Sequence, residues 1–128
     1  MTLQQYRALA DFRYELRRFL RYSEQLTRSS GLTPLQYQLL LQIKGLPERE
    51  LATIGRLAER LQSKHHGVVA LATRCEKLGL LKRHASNEDR RVVYLTLSDK
   101  GGRALELLAR SHRDQLLSLQ GRFLVPPL

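Results

Sequence analysis

At 128 residues, 42% apolar and 27% charged, the chain has the size and make-up of one folded domain, and it is too apolar for a disordered segment. No run approaches the roughly 20 uninterrupted apolar residues of a membrane span, and with a single cysteine and no basic-then-apolar leader in Met1 to Ala10, the expected setting is the reducing cytoplasm. Twenty-two Lys and Arg against twelve Asp and Glu leave a net charge of +10, and 17 of the 22 are arginine, so the expected partner is a polyanion.

From Leu3 to Leu26, the residues Leu9, Phe12, Leu16, Phe19 and Leu26 recur at steps of three and four, with Ser23 in the one polar slot. This spacing predicts a long amphipathic helix closed by Ser29-Ser30-Gly31. Its arginines, Arg17 and Arg18 among them, are read as a solvated face. Thr33 then caps a short apolar helix with Pro34 at its first position, where a missing N–H is harmless. Gly45 and Pro47 stop that helix, and Glu48 to Leu51 reads as a loop or short strand.

Thr53 caps a third helix through Ile54, Leu57, Ala58 and Leu61; residues 62–64 turn the chain. A fourth helix is expected from about Ser63 to Leu78, ended by Gly79. At about 100° per residue, Val68, Leu71, Cys75 and Leu78 share a packed face, while Ser63, His66, Gly67, Ala70, Thr73, Arg74 and Lys77 share a free one. The period then changes to that of strands over 80–84 and 92–97, around the polar loop 85–91. Ser98 caps a last long helix with Leu105, Leu108, Ala109, His112, Leu116 and Leu119 on one stripe, and Gly121 and Pro126-Pro127 close the chain.

Two short helices joined by a tight turn and followed by a basic hairpin give a mainly α fold with a small β wing, a winged helix-turn-helix. From Arg56 to Arg91 there are nine Lys and Arg against four Asp and Glu. A major groove about 12 Å wide admits one helix. Ser63, Lys64, His65, His66 and Arg74 are therefore the candidates for DNA contact.

The sequence resembles the MarR family of bacterial regulators over roughly Leu32 to Arg103. The residues that carry the resemblance are Leu32-Thr33-Pro34, the run Ile54 to Leu61, Leu78-Gly79-Leu80, and above all the block Asp89-Arg90-Arg91 leading into Val92 to Ser98. The resemblance implies that Arg91, with Arg90 beside it, brings the wing to the minor groove, where a narrow groove offers an arginine enhanced negative potential. It assigns Asp89 the shaping of the tip. It also implies a homodimer built from the first and last helices, blocking a pseudo-palindromic operator as a repressor and responding to a small aromatic effector. The expected division is 1–30 as an N-terminal dimerisation helix, 32–97 as the DNA-binding unit, and 98–128 as a C-terminal dimerisation helix and tail.

Other chemistry finds little footing. His65 and His66 point about 100° apart on a helix and share a metal badly. Cys75, between Leu71 and Leu78 on the packed face, is expected to be a buried, inert thiol rather than a redox sensor. His112 is read as a satisfied interface histidine rather than part of an effector pocket. No phosphate loop, nucleophile–base pair or apolar carboxylate pair suggests an enzyme, and no cofactor is expected. The competing roles for the positive charge are binding to an acidic protein partner and, through the basic first helix, to a membrane surface.

Overall fold

A computed structural model of the chain describes residues 1–47, 51–122 and 126–128. Helix α1 (Leu3–Ser29) begins with a capping box: Thr2 accepts the Gln5 N–H, and the Gln5 side chain accepts the Thr2 N–H. Its stripe Phe12, Leu16, Phe19 and Leu26 is half-buried, while Leu9 stays exposed. The end is closed by Gly31 at φ +82°, whose left-handed backbone lets the Leu32 N–H reach back to Thr27 O at 3.0 Å.

Helix α2 (Pro34–Gly45) repeats the capping box with Thr33 and Gln36, and it carries Leu39 and Leu40 fully buried. Burial of each is worth about 1.5–3 kcal/mol relative to exposure. Of the loop or strand expected over 48–51, residues 48–50 lie outside the described residues, and Leu51 is in neither helix nor strand. Thr53 caps α3 (Ile54–Leu61), and Gln62 then takes the left-handed conformation at φ 51° so that the Ser63 N–H meets Ala58 O at 2.9 Å.

Helix α4 (His65–Lys77) starts two residues later than the sequence suggests, with Lys64 in the cap position and no side chain capping it. It also ends earlier. Leu78 was expected on the packed face, but it lies beyond the last helical residue and is 44% exposed, because the chain turns there to make Gly79 and Leu80 close the helix. The Leu80 N–H bonds back to Cys75 O at 3.0 Å, so Leu80 belongs to this closure and not to the strand assigned to it.

The hairpin is therefore β1 (Leu81–Ala85) paired antiparallel with β2 (Val93–Leu97), in the register Leu81↔Leu97 to Ala85↔Val93. Val92 belongs to the turn instead, donating to Asp89 O at 2.9 Å. The other edge of β2 is anchored on the segment before α3, through a Thr53–Tyr94 bridge and the Leu95 N–H on Ala52 O at 2.9 Å.

Helix α5 (Asp99–Ser118) is capped by Ser98, whose Oγ accepts the Gly101 N–H at 3.0 Å. Leu105 and Leu108 complete a core shared with Leu39, Leu40, Leu57, Val68, Ala72, Cys75, Leu81 and Leu95. His112 is buried where α1, α2 and α5 meet, stacked on Tyr37 at 4.4 Å between ring centroids. Leu116, assigned to the same inner stripe, is exposed because the covered line runs through Leu105, Leu108, His112, Gln115 and Leu119, which leaves Leu116 turned one position away from it.

Candidate nucleic-acid interface

The turn between α3 and α4 sets the first half of the site. Ser63, Lys64, His65 and His66 are all exposed and crowd the start of α4, and Arg74 is exposed two turns further on. Because no side chain caps α4, its first backbone N–H groups and the positive end of the helix dipole face outward with them. Gly67, in the first turn, has open space where a Cβ would stand.

The second half is the wing tip. Ser86, buried at its base, closes the hairpin by donating its N–H to Val92 O at 2.9 Å, and its Oγ accepts the Glu88 N–H at 3.3 Å. Asp89 is half-buried and folds the tip around its carboxylate: Oδ1 accepts the Arg91 N–H at 3.0 Å and the Arg91 Nε–H at 3.3 Å. The Arg91 side chain is nonetheless 93% exposed, and Arg90 is exposed beside it. A surface ion pair of this kind contributes little stability, about 0–1 kcal/mol, so its effect is on conformation.

The two halves are joined by a residue absent from the sequence-based candidates. Arg83 of β1 crosses to α4, where Nη2 donates to Val69 O at 2.8 Å and to Thr73 Oγ1 at 2.6 Å, while its backbone N–H meets the Glu76 carboxylate at 3.3 Å. Thr73, expected on the free face, is accordingly half-covered. The Lys100 ammonium donates to Leu78 O at 2.8 Å and the Ser98 hydroxyl to Gly79 O, tying the turn that closes α4 to the start of α5. Cys75 is fully buried in the core, and burial pushes its thiol up to about 11, with the charge of Arg74 only partly opposing the shift.

Comparison with known proteins gives a consistent result. Residues 30–92 match the model of the MarR family. The HTH-type transcriptional repressor MdtR of Bacillus subtilis is 34% identical over 71 residues, which are 56% of this chain and 44% of MdtR, so the chain spans less than half the length of that relative. Among solved structures, a MarR family transcription regulator superposes with a TM-score of 0.79 at 24% identity, covering 92% of this chain and 77% of the other. The M. tuberculosis transcriptional regulator MOSR, solved in complex with DNA, superposes with a TM-score of 0.66 at 23% identity, covering 85% and 77%. These likenesses establish the winged-helix fold.

Proposed function

Residues 30–92 match the model of the MarR family, and from that premise we propose that the chain is a MarR-family, sequence-specific regulator of transcription that binds double-stranded DNA as a homodimer. The observation that carries the proposal is that the uncapped start of α4 and the Asp89-shaped tip both present exposed cations, on elements joined through Arg83. Ser63, Lys64, His65, His66 and Arg74 reach base edges and phosphates in the major groove; Arg90 and Arg91 enter the neighbouring minor groove, with Asp89 holding the tip. Repression by occupying the operator is favoured by the similarity to MdtR, itself a repressor.

Dimerisation is supported by apolar side chains of α1 and α5 that stay open among the described residues: Leu107 is 67% exposed and Leu117 59%, with Leu3, Tyr6 and Leu116 also exposed. In this reading, 1–30 and 98–128 serve assembly and 32–97 serves DNA in the cytoplasm. Two copies place their α4 helices about 34 Å apart, on successive major grooves. A groove of about 1060 Å³ between the end of α2, β2 and the first half of α5, lined by Leu41, Tyr94, Leu97, Leu105 and Arg103, suits a small aromatic effector, which would touch the wing and α5 together.

The experiment is selection of duplexes by the full chain from a random pool, followed by titration of the selected and scrambled duplexes across salt, with sedimentation to give the oligomeric state. The expected result is a two-fold-related site bound about 10³-fold more tightly than its scrambled counterpart, with affinity falling steeply in salt. Equal binding to both duplexes would overturn the proposal.

A further inference from the structure

Arg83 lies outside the recognition surface proper, yet it makes the contacts that set the angle between that surface's two parts. Its Nη2 meets Val69 O and Thr73 Oγ1, and the Thr73 hydroxyl itself donates to Val69 O at 3.0 Å, closing a triangle of three polar groups on one side of α4. One turn further along the helix, Glu76 takes the Arg83 backbone N–H, a donor on the edge of β1 that faces α4 rather than β2. The hairpin is thus held along two turns of the recognition helix by a single residue. Leu81 and Leu95 root the hairpin in the core and β2 pairs with the segment before α3, while on the side of α4 a guanidinium with two acceptors leaves less angular freedom than apolar contact does.

We propose that Arg83 is a positioning residue of the DNA-binding surface: it locks the wing onto α4 through Val69, Thr73 and Glu76, so that Arg91 reaches DNA only when α4 is seated. The inference rests on the regulator reading for its DNA consequence, while the lock itself is a property of the free protein. Because Nη2 is spent inside the molecule, Arg83 acts on DNA through Arg91 and not as one more phosphate contact.

The test uses the full chain with Arg83→Met, Thr73→Val and Arg91→Ala. Thr73→Val keeps the shape and every charge, and it serves if Arg83→Met folds poorly. Without DNA, residual dipolar couplings of the amides in 81–85 and 93–97 are expected to shrink relative to those of α4 in both lock variants; unchanged couplings would overturn the lock. With a duplex selected by the wild-type chain, Arg83→Met is expected to weaken binding about tenfold, and Arg91→Ala to cost less than about twofold more in that background, against about tenfold or more on its own. Losses that multiply independently would overturn the coupling. So would a fall of about 0.9 in the salt slope with Arg83→Met and none with Thr73→Val, the mark of a direct phosphate contact. If the wild-type chain selects no duplex, the regulator reading fails, and the couplings still decide whether the lock exists.

Discussion

A single oxygen of Asp89, Oδ1, accepts both the backbone N–H of Arg91 at 3.0 Å and its Nε–H at 3.3 Å, so one carboxylate sets both the bend of the wing tip and the direction in which its arginine leaves. Arg91→Ala is expected to cost about 1–3 kcal/mol of DNA binding with little change in unfolding midpoint, since the side chain is 93% exposed and its surface ion pair with Asp89 adds little stability. Asp89→Ala is expected to lose a similar amount by releasing the tip. Asp89→Asn keeps a carbonyl acceptor for the Arg91 N–H and is expected to fall between wild type and Asp89→Ala. Fluorescence anisotropy on a selected duplex, beside urea melts, checks all three; equal affinities for wild type and Asp89→Ala would show that the tip is not shaped by this residue.

Gly101 is expected to reject any side chain. It sits in the first turn of α5 with its Cα against Leu80, and an added Cβ would overlap the Leu80 carbonyl oxygen and carbon, both backbone atoms that cannot swing aside. Gly101→Ala gains helix propensity of about 1 kcal/mol but must push α5 off the end of α4. The net expectation is destabilisation of about 2–4 kcal/mol by urea denaturation. Gly102→Ala, one residue on with open space around it, is the control and is expected to be neutral or stabilising.

The buried imidazole gives a third expectation. His112 Nδ1 lies 2.7 Å from Leu108 O, which can only accept, so Nδ1 carries the proton and Nε2 accepts from the Ser23 hydroxyl at 2.7 Å. Ser23→Ala removes one donor and is expected to cost about 1 kcal/mol. His112→Ala empties the junction of Phe19, Tyr22 and Tyr37 and is expected to cost about 3 kcal/mol. Denaturation curves of the two variants test the ranking, and a smaller loss for His112→Ala would contradict it.

Cys75 links stability to alkaline pH. Its thiol is raised from 9.0 to about 11 by burial, so the folded chain keeps the proton over a range in which the unfolded chain has lost it. The stability this provides is whole below about pH 9 and drains away as pH rises towards 11, by an amount on the order of 1–3 kcal/mol. Wild type is therefore expected to lose stability faster than Cys75→Ala across that window, with the two slopes equal below it. At pH 8 the native thiol is also expected to react with an aromatic disulfide reagent only as fast as the protein unfolds.

Much of the fold was legible because helix starts are local chemistry: Thr33 before Pro34, Thr53 and Ser98 each cap a backbone N–H three residues on. The two capping boxes and the hairpin follow from neighbours in the chain. Leu78 was misplaced by carrying the helical rotation one residue past the point where Gly79 and Leu80 close the helix. Arg83 gave no signal, since its partners lie 10 and 14 residues away on another element and a basic residue in a strand looks like solvated charge. Gly101 was equally silent, for its constraint comes from a carbonyl of a different segment. The candidates at 63–66 rest on charge and turn signals and those at 89–91 on the family resemblance, whereas whatever orients them to each other is tertiary.

The bonds from Ser98 and Lys100 to the Gly79 and Leu78 carbonyls, in the turn that closes α4, also bear on how the molecule opens. The turn that closes α4 releases those carbonyls only if the start of α5 lets go as well, so the two segments form one cooperative opening unit despite lying some 20 residues apart. Slow amide exchange at Leu78 and at Gly102 is accordingly expected to rise and fall together with denaturant. Synthesis from the ribosome meets the same condition in time: until Lys100 has emerged, the turn that closes the recognition helix has no partner for its Leu78 and Gly79 carbonyls from α5.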